Sequence, residues 1–199
     1  NLPPLPAGRH YRFHTMAKPS GAECNIDCDY CFYLHKTELL EQPKHARMDA
    51  ATLEQYVRQY IESQTGEQVV FSWQGGEPTL LGLPFYQQVV ALQQKYAKPN
   101  QKIENDLQTN GIALDAEWVK FLKQNHFHVG LSIDGPRELH DIYRKTNNGK
   151  PTFDYVMSAA KRLVDADVSF AALCVVNRRN ALHPKEVYRF LADEVGTWR

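Results

Sequence analysis

Cys24, Cys28 and Cys31 form a CxxxCxxC triplet, with Tyr30 and Phe32 on either side of the last cysteine. Three thiolates within eight residues can grip three corners of one small metal site. Iron–sulfur clusters are normally held by four cysteines. With three protein ligands on a four-iron cluster, one iron stays open, and an open iron can bind and activate a substrate or cofactor. Structural zinc is the bland alternative. It wants four closed ligands, usually as Cys pairs two residues apart, and the fourth would have to be His35, His45 or Cys174. A disulfide pair fits less well, because residues 1–16 lack the long apolar run of a secretory signal. Cys174 lies in the apolar run Ala171–Val176 and reads as core filler.

Composition excludes little. The net charge is zero, so bulk electrostatics imply no nucleic-acid or membrane partner. No apolar stretch approaches the roughly 20 residues that span a bilayer. The expected location is cytoplasmic. Residues 1–10, rich in proline, read as a leader.

The elements that would position the cysteines alternate between strand and helix. Residues 10–18 predict a first strand, ending before Pro19. Asp49 predicts the N-cap of a helix with Leu53, Tyr56, Val57, Tyr60 and Ile61 on one face. Val69–Trp73 reads as a strand bounded by Gly75 and Gly76. Pro84 opens a helix carrying Phe85, Val89, Leu92 and Tyr96. Residues 102–108 predict a third strand, and Asp115 a helix with Trp118, Phe121 and Leu122. Val129–Ile133 is a fourth strand, and Thr152 caps a helix with Phe153, Val156, Met157, Ala160 and Leu163. Residues 168–176 are a fifth strand, followed by a helix from Pro184 with Val187, Tyr188 and Leu191.

Strands separated by helices imply parallel βαβ units with right-handed crossovers. The fold class is therefore α/β. The cysteines, Gly75-Gly-Glu-Pro78, Asn110-Gly111 and Asp134-Gly135 all follow C-terminal strand ends. Parallel α/β proteins put their chemistry there, although Gly, Asn and Pro also make ordinary turns. Five βα units are legible, and a sixth strand is expected where the sequence ends. Residues 11–199 are thus expected to be one barrel domain cut short within a longer protein.

The cysteine triplet together with Gly75-Gly-Glu-Pro78 resembles the radical S-adenosylmethionine (SAM) enzymes. Ala17-Lys-Pro-Ser20, Cys28-Asp-Tyr-Cys-Phe-Tyr-Leu34, Trp73-Gln-Gly-Gly-Glu-Pro-Thr79, Leu107-Gln-Thr-Asn-Gly111 and Gly130-Leu-Ser-Ile-Asp-Gly-Pro136 are similar to blocks of the anaerobic sulfatase-maturating enzymes, from about residue 11 onward. That resemblance implies a partial (β/α)6 barrel with a 4Fe–4S cluster at its mouth. In such enzymes SAM chelates the open iron, and an electron from the cluster cleaves it to a 5′-deoxyadenosyl radical. The radical takes hydrogen from Cβ of a cysteine or serine in a sulfatase, and loss of a second electron yields formylglycine. A flavodoxin or ferredoxin would supply electrons.

By motif, the resemblance gives Cys24, Cys28 and Cys31 to the cluster. It gives Tyr30, Gly75, Gly76, Glu77, Ser132 and Arg144 to SAM: the glycines for close backbone approach, Glu77 for the ammonium, Ser132 for ribose and Arg144 for the carboxylate. Gln74, Gln108 and Asn110 are given to the peptide substrate. Sulfatase maturases continue into a Cys-rich SPASM extension with auxiliary clusters and an acidic proton acceptor, so no catalytic acid–base residue is assigned up to Arg199. These 199 residues alone are expected to cleave SAM slowly, if at all, and to form no formylglycine. Two other readings stay open: another peptide-modifying radical SAM enzyme, and a cluster-binding domain without activity.

Overall fold

The computed structural model describes residues 13–33, 41 and 46–196. The leader at 1–10, the first residues of the expected strand at 10–18, His35, His45 and residues 197–199 lie outside the described residues.

Five parallel strands form one sheet: β1 (Thr15–Ala17), β3 (Gln68–Trp73), β4 (Lys102–Thr109), β5 (Phe127–Ser132) and β7 (Phe170–Leu173), neighbours in that order. Strand side chains alternate between faces. Val69, Phe71, Trp73, Leu107, Val129 and Leu131 therefore share one face, and all are buried in the main core. The opposite face carries polar and small residues, with Ser72 beside Asp106 and Gln108 beside Gly130. The helices that follow the strands are α1 (Ala50–Ser63), α2 (Leu83–Tyr96), α3 (Ala116–Gln124), α5 (Phe153–Asp165) and α6 (Pro184–Arg189). Their core-facing residues, such as Leu53, Val89, Leu122 and Leu163, complete the same cluster. Asp49 caps α1 by accepting the Thr52 N–H at 2.7 Å, and Asp115 caps α3 by accepting the Trp118 N–H at 2.9 Å.

Several expectations change. On α2 Val89 and Leu92 are buried as expected and Phe85 and Tyr96 pack partly buried against the core, while Tyr86 and Gln93 are buried beside them. A polar pairing holds Gln93 there: the Gln93 and Asn105 amides bond reciprocally at 2.8 and 2.9 Å, and Trp73 Nε1 donates to Asn105 Oδ1. Thr152 does not cap α5 with its side chain. Asp141 Oδ1 accepts the N–H groups of Thr152 and Phe153 in its place. After α6 the chain winds into a π-helix, Phe190–Glu194, which buries Phe190 and leaves Tyr188 exposed. The fifth strand is shorter than residues 168–176, and Cys174 falls beyond it at the strand end.

Three elements were not expected from the sequence. A short helix α4 (Arg137–Tyr143) leads into β6 (Arg144–Thr146), which pairs antiparallel with β2 (Ile26–Cys28). Three-residue strands carry too few positions for periodicity to be read.

Backbone hydrogen bonds continue the β1–β3 pairing beyond both strands. Gln74 N–H donates to the Ala17 carbonyl at 2.9 Å, Gly76 N–H to Gly21 at 2.9 Å and Glu77 N–H to Glu23 at 2.8 Å. This apposition explains Gly76: a Cβ there would lie 2.0 Å from the Glu23 carbonyl oxygen. Gly149 offers a contrast, since it has φ of +74° but nothing within 4 Å of its would-be Cβ. Gly149→Ala should cost only the left-handed strain of about 1–2 kcal/mol. Gly76→Ala should cost roughly 3 kcal/mol or more, because backbone must move. Thermal melts of the two variants check this, and equal losses would contradict the steric account.

Candidate functional site

The loop after β1 turns back at Gly21, where the N–H donates to the Lys18 carbonyl, and then delivers Cys24. Cys28 closes β2, and the Cys31 N–H donates to the Cys28 carbonyl at 2.8 Å, so the last two cysteines share a tight turn. With the ends of β3, β4, β5 and β7 this loop encloses a cavity of about 540 Å³. Cys24, Cys28, Cys31 and Tyr30 line one side, and Gln74 to Glu77, Gln108, Asn110, Ser132 and Arg144 line the rest. Every residue selected from the sequence therefore borders a single cavity. Among the described residues no trio of His, Cys, Asp and Glu side chains converges on one ion-sized point, and all three thiols belong to the lining of this one cavity.

Burial pushes the Cys24 thiol up to about 11, with the charges of Glu77 and Cys31 adding to it. Burial pushes Cys28 up to about 12, against the pull of Arg144. Thiolates in this pocket thus need a cation, and loading a metal must release protons.

Glu77 is fully buried, and its carboxylate is committed to the protein. Oε1 accepts from Thr79 N–H (3.0 Å), Thr79 Oγ1 (2.6 Å) and Thr109 Oγ1 (2.8 Å), while Oε2 accepts the Asn110 N–H at 2.8 Å. Burial raises its pKa against those bonds. This side chain ties the turn after β3 to the end of β4. The glycine expectation changes. What excludes a side chain at Gly75 and Gly76 is the cysteine loop, with Gly21 O 2.8 Å from a Cβ at Gly75. Asn110 turns its amide to Asn25 Oδ1 at 2.7 Å and to Cys24 Sγ at 3.8 Å, so it holds the cysteine loop.

Arg144 is buried beside Cys28, its register partner across β2 and β6. Its Nη1 donates to the Tyr30 hydroxyl at 2.9 Å, and Tyr30 in turn donates to Asp134 Oδ2. Among the described residues, Arg144 Nε and Ser20 Oγ are buried side-chain polar atoms without a hydrogen-bond partner. Cys174 is half-buried in the cavity wall rather than in the core, 3.7 Å from Asn180 Nδ2. Its neighbours Leu173 and Val175 also line the cavity, and their apolar types gave no signal of it.

The sequence also gave no signal for His140, which is fully buried on α4. Its Nδ1 accepts the Asp134 N–H at 3.3 Å, so the proton sits on Nε2, 3.0 Å from Thr152 Oγ1. Thr152 Oγ1 then donates to the Arg144 carbonyl at 2.7 Å. Burial and the Arg144 charge push His140 from 6.5 down to about 3. In the unfolded chain the ring takes up a proton near pH 6.5; in the folded chain it stays neutral to about pH 3. Its contribution is complete above pH 6.5 and is lost as pH falls toward 3. The stability gap between the unmutated protein and His140→Gln should shrink by about 2 kcal/mol between pH 7 and pH 5. Denaturant titrations at both pH values check this, and a constant gap would contradict the neutral, buried ring.

The family model of the radical SAM superfamily matches residues 19–191. The chain is 45% identical over 181 residues to a serine-type anaerobic sulfatase-maturating enzyme of Bacteroides thetaiotaomicron, covering 90% of this chain and 43% of that protein. It is 40% identical over 179 residues to a cysteine-type enzyme of Clostridium perfringens, covering 90% of this chain and 48% of that protein. It thus spans about half the length of the curated relatives it matches. A solved structure of native anSMEcpe with bound AdoMet and Kp18Cys peptide superposes with a TM-score of 0.81 at 40% identity, over 88% of this chain and 47% of that one. A chain whose three loop cysteines meet the ends of a parallel sheet at one cavity, and whose residues 19–191 match the family throughout, belongs to the radical SAM superfamily.

Proposed function

We propose that the protein carrying this chain oxidises a cysteine or serine of a sulfatase polypeptide to formylglycine, with a 4Fe–4S cluster and SAM bound in the cavity. The single observation behind the reading is the joining of three thiols and the buried Arg144 side chain at one cavity. The similarity to serine-type and cysteine-type sulfatase-maturating enzymes supports the substrate class. The residues present fit the cofactors. A cluster takes thiolates at separate corners, and Cys24, Cys28 and Cys31 line the same cavity. A guanidinium suits a carboxylate, which can accept from it bidentately, and Arg144 lines that cavity too. When bound, cluster and SAM supply a reductively formed 5′-deoxyadenosyl radical that removes hydrogen from the substrate Cβ.

The chain's own part is to bind, orient and exclude water. Cys24, Cys28 and Cys31 hold three irons, and Asn110 donates toward the Cys24 sulfur, where a hydrogen bond tunes cluster potential. Arg144 binds the SAM carboxylate, Ser132 the ribose, and Tyr30 lies along the ligand. The backbone of Gly75, Gly76 and Glu77 meets the methionine end. Gln74 and Gln108 project from the polar face of the sheet toward the peptide. A flavodoxin or ferredoxin delivers electrons, and the reaction runs in the cytoplasm, where reductant is available. No nucleic acid or membrane takes part; among the described residues no helix is long and apolar enough to cross a membrane.

Anaerobic reconstitution should load about four iron and four sulfide per chain. Ala at Cys24, Cys28 or Cys31 should abolish the cluster absorbance, and Cys174→Ala should not. The intact polypeptide that carries this chain, given SAM, reductant and a sulfatase-derived peptide, should yield an aldehyde that mass spectrometry detects after hydrazine trapping. Stoichiometric zinc without sulfide would overturn the cluster. A loaded protein that cleaves SAM but leaves both Cys and Ser peptides unchanged would overturn the substrate.

A further inference from the structure

We propose that Asp134 is a positioning residue for SAM: acting through Tyr30, it sets the Arg144 guanidinium that meets the carboxylate of the ligand. The proposal rests on the SAM-binding reading above and deepens it. Asp134 has 0% exposure and is not among the residues that line the cavity. A carboxylate so placed needs compensation. Its Oδ1 accepts the Val175 N–H at 3.0 Å, and its Oδ2 accepts the Tyr30 hydroxyl proton.

The direction of this chain of bonds is fixed. Arginine has donors only, so the Tyr30 oxygen must accept from Arg144 Nη1 and send its own proton to Asp134. The positive and negative charges are thereby linked through one hydroxyl, and that hydroxyl is not left to donate to a ligand. The main chain of Arg144 is held from the other side by Thr152 and His140, and His140 also holds the Asp134 N–H. Backbone and one guanidinium nitrogen are thus both anchored. Nε remains without a partner although Arg144 is only 6% exposed. The side chain as a whole lines the cavity, so the anchored guanidinium is held beside the space a ligand carboxylate would enter. Without Asp134 the Tyr30 proton has no fixed acceptor and the guanidinium is free to swing.

The test compares two ligands on the anaerobically reconstituted protein. S-adenosylhomocysteine keeps the amino-acid end of SAM, whereas methylthioadenosine lacks it. Equilibrium dialysis should show Asp134→Asn binding S-adenosylhomocysteine about tenfold more weakly, the scale of one lost charge-assisted hydrogen bond. Methylthioadenosine affinity and iron content should stay at the unmutated level. Tyr30→Phe breaks the same link without altering the buried carboxylate and should give the same selective loss, so the test stands if Asp134→Asn fails to fold. Equal weakening of both ligands would mean a purely structural role and would overturn the proposal, as would unchanged affinity for S-adenosylhomocysteine. If the unmutated protein binds S-adenosylhomocysteine and the variants match it, only this proposal falls. If the unmutated protein does not bind it at all, the SAM reading falls as well.

Discussion

Everything at the mouth of this sheet depends on one close approach, the turn after β3 lying directly against the loop that leads to Cys24. Two backbone hydrogen bonds, from Gly76 to Gly21 and from Glu77 to Glu23, hold the segments together, and a Cβ at Gly76 would sit inside the Glu23 carbonyl. The cysteine loop has little regular structure of its own, since β1 and β2 are three residues each. Its position is therefore borrowed from β3, the neighbour of β1 in the sheet. Glu77 extends the same fixing sideways, by joining Thr79 in its own turn to Thr109 and Asn110 at the end of β4. Asn110 then closes the circuit back to Asn25 and Cys24.

The other half of the cavity is organised around buried charge. Arg144 and Asp134 are both shielded from water, and they are linked through the Tyr30 hydroxyl. His140 belongs to this scaffold as a neutral ring with a fixed tautomer, one nitrogen accepting and the other donating. The β2–β6 pairing brings the two halves together, because it sets Cys28 opposite Arg144. Cys28 and the buried guanidinium are thus placed by a single strand register.

The fold was legible wherever the sequence repeats a simple period. The apolar strands Val69–Trp73 and Val129–Ile133, and the caps at Asp49 and Asp115, fall where alternation and capping chemistry place them. The candidate site was legible because thiols, glycine pairs and strand-end polar residues are rare enough to stand out. Roles were harder to read than positions. Nothing in the sequence around Glu77 shows that tertiary folding surrounds it with donors from another strand. Cys174 looks like core, yet it borders the cavity just past a shortened strand. Gln93 was missed on the buried side of α2 because it and Asn105 are polar, and only their mutual pairing makes them core residues. Asp134 and His140 left no sequence signal beyond a turn and a lone histidine, since their partners are brought in by α4 and β6.

The central claim is that the cavity mouth is assembled by the polypeptide itself, with the cysteine loop fixed on the β3 turn before any metal is present. Amide hydrogen exchange of the metal-free protein tests this most directly, at the N–H groups of Gly76 and Glu77. Both should be protected to the degree of the interior amides of β3, such as those of Phe71 and Trp73. Exchange at the rate of an open loop, slowing only after iron and sulfide are added, would contradict the account and make the cluster the organiser of the site.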